Sequence, residues 1–153
     1  MEWDKAILID APIEVVWNLF SDENIQRIMP NIIEHTLLEK KENEIGSTYK
    51  QKYREGRRIE TYILEITAYE DQPTYKYKTT QFVLAKSFRI ETTYSCEVVE
   101  INKTKLEYKG KNEGLNIFIR ALLKLSSLRK NQKVVDDFLE KVKAEAEKDR
   151  TTI

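Results

Sequence analysis

From Thr48 to Lys109 the side chains alternate in character with a period of two, the signature of strands with one covered and one wet face. In the stretch Thr48 to Arg54, Tyr49, Gln51 and Tyr53 share one face while Thr48, Lys50, Lys52 and Arg54 share the other. After a turn at Glu55, Gly56 and Arg57, the residues Glu60, Tyr62, Leu64, Ile66 and Ala68 fall together. Tyr75, Tyr77 and Thr79 then oppose Lys76, Lys78 and Thr80. Phe88, Ile90, Thr92, Tyr94, Cys96 and Val98 oppose Arg89, Glu91, Thr93, Ser95 and Glu97, and Leu106 with Tyr108 closes the series. Short turns between such segments predict an antiparallel meander of five or six strands with one buried face.

The flanks have a different period. A β-rich run from Trp3 to Asp10 stops at Ala11 and Pro12, and Val15, Val16, Leu19 and Phe20 then recur at helical spacing behind a proline suited to a first helical turn. Ser21 or Asp22 is positioned to cap a second short helix that Pro30 ends near Met29. Beyond Gly114, Ala121, Leu125, Leu128, Gln132, Val135, Leu139, Val142 and Ala146 form one helical stripe, which is what must cover the sheet. The length of this helix predicts a bend or break near Ser126 to Asn131. The predicted class is therefore α+β, a single domain over residues 1–153.

Composition narrows the functions. Twenty-six basic and 26 acidic residues cancel, which removes the field that draws a protein to nucleic acid. The one cysteine, Cys96, has no internal disulfide partner, and the acids in the first residues do not suit a secretory signal, so a cytoplasmic setting is expected. The one histidine, His35, offers no cluster for a metal, and no cofactor-binding motif is present.

The run Ile9, Asp10, Ala11, Pro12, Ile13, Glu14, Val15, Val16, Trp17, followed later by Ile66, Thr67, Ala68, Tyr69, Glu70 and Pro73, resembles the polyketide cyclase/dehydrase and lipid-transport proteins. That family sits in the larger group of START domains and birch-pollen-allergen-like proteins. The resemblance implies a helix-grip fold: a curved antiparallel sheet wrapped around a long C-terminal helix, with two short helices after the first strand. It also implies a cavity between sheet and helix, and it implies no shared catalytic set.

The covered face suits a cavity better than a dry core, because its tyrosine hydroxyls need partners when buried. Candidate ligand-binding residues are Gln51, Tyr53, Glu60, Tyr62, Tyr77, Phe88 and Tyr94 on the sheet, with Phe118, Leu122, Leu125 and Gln132 on the helix. Phe118, Leu122 and Leu125 are expected near the entrance, where Gly114 supplies a hinge. Glu60 is either a desolvated acid, base or anchor, or a rim carboxylate paired with Arg58. Gln132 is either a polar contact or the mark of the bend. Cys96, on the inner parity, reads as a small buried hydrophobe.

The expected function is binding or carriage of a small hydrophobic or amphipathic ligand such as a lipid, a quinone or an aromatic polyketide-like compound. A cyclase, aromatase or dehydratase acting on such a ligand, and a protein-interaction module resembling chaperone ATPase activators, are the alternatives. The reading leans away from an enzyme and expects no nucleic-acid partner. The basic stretch 115–135, with Arg120, Lys124, Arg129, Lys130 and Lys133, is either a solvated helix face or a surface for brief contact with an anionic membrane.

Overall fold

A computed structural model describes residues 2–84, 86–114 and 128–150. Strand β1 (Glu2–Ile9) leads through helices α1 (Ile13–Asn18) and α2 (Ile25–Ile28) into β2 (Ile32–Glu39). Five further strands follow: β3 (Thr48–Glu55), β4 (Arg58–Asp71), β5 (Tyr75–Leu84), β6 (Phe88–Glu100) and β7 (Lys103–Gly114). Helix α3 (Leu128–Arg150) ends the described chain. The seven strands form one antiparallel sheet in the order β1-β7-β6-β5-β4-β3-β2. This is the α+β helix-grip arrangement that the periodicity and the motif resemblance predict. No helix among the described residues is long and apolar enough to cross a membrane.

Each element has a local cause. Pro12 stands just before α1 in an extended conformation (φ −62°, ψ 153°), and its carbonyl accepts the otherwise unpaired N–H groups of Val15 and Val16. Helix α2 is shorter than its sequence pattern predicts. It begins after Asn24 rather than at Ser21 or Asp22, because the Asp22 carboxylate faces His35 and Tyr49 instead of the helix N-terminus. Strand β2 escapes the alternation rule, since its Ile32-Ile33 and Leu37-Leu38 pairs place apolar groups on both faces of an edge strand. In β3, β4, β6 and β7 the predicted parity holds: Tyr49, Gln51, Tyr62, Leu64, Ile66, Tyr94, Cys96 and Leu106 are buried.

Strand β5 reverses its predicted parity. Lys76 and Thr80 are buried, whereas Tyr75 is exposed, its ring tilted against that of Tyr77. Pairing sets this outcome: Lys76, Lys78, Thr80 and Phe82 lie opposite Cys96, Tyr94, Thr92 and Ile90, the inner set of β6. Residues directly opposite in an antiparallel pair share a face. A register shift between Ile66 and Ala68 lets β4 keep its own phase against β5. Lys76 is tolerated inside because its ammonium bonds Asp71 and lies 3.1 Å from Glu14.

Helix α3 packs on β1, β7, α1 and α2. Val135, Leu139, Val142 and Ala146 are buried at the predicted stripe positions. Ile9, Val16, Leu19, Phe20 and Leu106 meet them from the other side. The ends of α2 and α3 are tied by Arg27, which reaches Glu145 and Asp149 at 2.8 Å. Those bonds hold both carboxylates below their usual pKa.

Depressed carboxylate pKa values contribute stability that is present above the unfolded values, about 4, and is lost as pH falls through the folded values. Arg27→Met is therefore expected to cost about 1 kcal/mol at neutral pH, a modest figure because the pair is partly solvated. The difference from the parent should narrow steadily as pH falls below about 4 in urea unfolding. A gap that does not change with pH would assign the loss to packing of the arginine stem.

Candidate functional site

The apolar interior is split. One cluster joins the helices to β1, β6 and β7 through residues such as Ile9, Val16, Tyr94, Leu106 and Leu139. A second joins Tyr49, Tyr62, Leu64 and Ile66 on β3 and β4, with Phe82 and Leu84 packed beside it. Between them lies a cavity of about 560 Å³. This is within the range typical of small-molecule sites, roughly 300–1,000 Å³. Helix α3 does not lie flat on the β3–β4 wall.

The cavity walls are mostly apolar. Tyr62 stacks on Phe82 at 4.0 Å, and Tyr94 lies between Phe20, Tyr108 and Phe138 at 5.1 to 5.7 Å. Ile25, Ile28 and Met29 line it from α2 and the residue after it, and exposed Val134 and Lys141 from α3. Trp3 enters from β1 because its partner in the ladder is Gly110. A Cβ on Gly110 would lie 2.4 Å from the indole and 2.7 Å from the Glu91 carbonyl oxygen, so only glycine leaves room for the ring.

Polar groups gather at one end. His35 Nε2 lies 3.1 Å from Asp22 Oδ1, and its Nδ1 lies 2.8 Å from the Gln51 amide nitrogen. An amide nitrogen can only donate, so Nδ1 accepts and Nε2 carries the proton shared with Asp22. The Tyr49 hydroxyl donates to the other Asp22 oxygen at 3.3 Å, and its ring stacks on His35 at 4.5 Å. Thr80 and Thr92 bond each other at 2.8 Å. Lys78 projects into the same end, where its ammonium donates to the Phe20 carbonyl at 3.1 Å.

Burial shapes the acid–base character of these groups. It pushes the Tyr94 hydroxyl up to about 12 and raises Tyr62 and Tyr108 further, so the inner phenols remain protonated donors. Tyr49 is raised by burial and then by the Asp22 charge. Burial lowers the Lys78 ammonium, partly offset by Asp22 and Glu44. Among the described residues, no group of three or more His, Cys, Asp or Glu is placed to hold a metal ion.

Of the residues singled out from sequence, Gln51, Tyr53, Tyr62 and Tyr94 line the cavity. Glu60 is not among the lining groups; its carboxylate pairs with Arg58 at 2.6 Å beside the β3–β4 turn. Tyr77 faces the other side of β5, and half-buried Phe88 sits at the strand end opposite Leu84. Gln132 is exposed on α3 and also outside the lining. Phe118, Leu122 and Leu125 lie outside the described residues, as does most of the basic stretch 115–135.

Several lining groups escaped sequence reasoning. Asp22 looks like a helix cap, and His35 looks inert when histidine is weighed only as a metal ligand. Lys78 had a usable signal: Phe82 and Leu84 share its parity, and two apolar residues outweigh the tyrosines at the strand start.

Comparison with known proteins agrees with this architecture. A family model described as polyketide cyclase/dehydrase and lipid transport matches residues 2–147. No curated protein sequence matches the chain. Zhui aromatase/cyclase from Streptomyces sp. R1128 is a structural neighbour with a TM-score of 0.73 and 14% identity, over 96% of this chain and 93% of its own. A START superfamily protein from Mycobacterium smegmatis gives 0.70 and 15%, over 96% and 97%. Ginseng major latex-like protein 151 from Panax ginseng gives 0.68 and 17%, over 98% and 97%. At such identities the likeness establishes the fold.

Two outcomes follow from this geometry. Gly110→Ala should lower stability by about 2 kcal/mol or more, because both the indole and the β6 backbone must move. A melting curve within 1 °C of the parent would refute the close approach. Cys96 is fully buried and its thiol is pushed up to about 12, so it should resist a thiol-specific disulfide reagent at pH 8 and react fully in guanidinium. Stoichiometric reaction of the folded protein would contradict its position.

Proposed function

This chain belongs to the polyketide cyclase/dehydrase and lipid transport family, and on that premise we propose that it binds a small apolar or amphipathic molecule in the cavity between sheet and helix. The observation that carries the reading is the split core: about 560 Å³ bounded by aromatic and aliphatic walls with polar groups at one end. A protein that used only its outer surface would gain stability by closing that space, since unfilled volume in an apolar interior costs packing energy. Tyrosines with raised pKa values suit the same role, because they offer hydroxyl donors without adding charge.

The arrangement favours holding a molecule over transforming it. An acid–base enzyme needs a group whose proton site faces the reactant. Both ring nitrogens of His35 are engaged by Asp22 and Gln51, and Glu60 is tied to Arg58. The polar end is organised as a fixed surface against which a ligand's polar group can settle.

Titration with N-phenyl-1-naphthylamine, a neutral apolar fluorophore, tests this reading. Binding with blue-shifted emission is expected, together with an endogenous molecule retained in native mass spectra of the freshly purified protein. Leu64→Trp fills the cavity from β4 and should weaken the fluorophore by about tenfold. Tyr62→Ala removes the stacked ring and should weaken it by a smaller factor, with both variants still folded. A parent protein that leaves the fluorophore dark would defeat the proposal.

A further inference from the structure

Lys78 stands apart from the other charged groups around the cavity. Its side chain lies on the inner face of β5, partly buried, and lines the cavity. An ammonium carries three donors. The hydrogen bond to the Phe20 carbonyl uses one of them. Among the described residues no carboxylate lies within 4.0 Å of its nitrogen. Buried Lys76, one inner position away, has both Asp71 and Glu14.

A poorly solvated ammonium is costly unless a close counter-charge holds it, and burial lowers Lys78 more than the carboxylates of Asp22 and Glu44 raise it. The nearby carboxylate of Asp22 is turned elsewhere: it receives His35 and Tyr49, and half of it is in solvent. Among the described residues no carboxylate fills that place, and an oxyanion entering the cavity would. Tyr94 and Thr80 flank the ammonium's end of the space, and the aromatic walls continue away from it.

We propose that the cavity takes an organic acid with an apolar body, and that Lys78 is the counter-ion for its carboxylate or equivalent oxyanion. This rests on the ligand-binding reading above and narrows it to one chemical class. The apolar body lies along Tyr62, Phe82 and Phe138, while the acid meets Lys78 where the hydroxyl donors are. The lysine is a binding residue in this scheme and carries out no bond-making step.

A matched pair of fluorophores separates the two claims. N-phenyl-1-naphthylamine and 8-anilinonaphthalene-1-sulfonate share one aromatic body, and only the second bears an anion. The parent protein should bind the sulfonate more tightly and release the neutral probe when the sulfonate is added. Lys78→Met should lose about tenfold or more in sulfonate affinity, with the neutral probe held to within about twofold. Lys78→Arg should keep most of the sulfonate affinity. Removing an unpaired cation should leave the methionine variant at least as heat-stable as the parent, and Lys78→Gln gives the same reading should the methionine variant not fold. Equal binding of both probes by parent and Lys78→Met, or a sulfonate that fails to displace the neutral probe, overturns the acid site while leaving the ligand cavity standing. Failure of the parent to bind either probe overturns both.

Discussion

The structure depends on how two strands adjacent in the chain come to lie at opposite edges of one sheet. β1 and β2 are separated by six strand spacings, roughly 29 Å across a flat sheet, and the connection between them folds into two short helices. A curled sheet brings those edges within reach, and α1 and α2 then cover its open end. The curl has a second effect. α3 is seated on β1, β7 and the short helices, so it is held toward one edge while β3 and β4 form a wall on the other side. The cavity is the space that this off-centre seating leaves.

Electrostatics at the polar end follow from the same geometry. The chain leaving α1 carries Asp22 over the end of the sheet, where it meets His35 from β2 and Tyr49 from β3. Three parts of the chain no more than 27 residues apart thereby satisfy one another's hydrogen bonds. Lys78 arrives from a fourth element, after those partners are already engaged. Its lack of a paired carboxylate is a consequence of topology, since the strand positions directly opposite it carry Tyr94 and Tyr69 rather than acids.

Much of this was legible beforehand because the alternation is strong where one face is wet and the other aromatic. Tyr62, Leu64 and Ile66 lie where their period places them, and so do Val135, Leu139 and Val142. The cavity-lining set was harder to read for physical reasons. Tyr77 went to the outside because pairing with β6 turns the even-numbered positions of β5 inward, a direction that Phe82 and Leu84 signal and the tyrosines at the strand start obscure. Glu60 found a local partner two residues away, a contact that face assignment cannot rank against desolvation. Asp22 and His35 meet only through the edge-to-edge connection, which no local pattern encodes.

The division of the core into two clusters also bears on how a protein of this design can diverge. Residues such as Ile9, Val16, Leu106, Leu139 and Val142 hold helix to sheet, and substitution there threatens folding itself. Tyr62, Thr80, Phe82 and Leu84 border open space on one side, where a change in size is absorbed by the void instead of by backbone strain. Substitution is therefore cheaper on the β3–β5 wall than in the helix-facing cluster. Lineages built on this plan would be expected to exchange one guest molecule for another long before they lose the shape that encloses it.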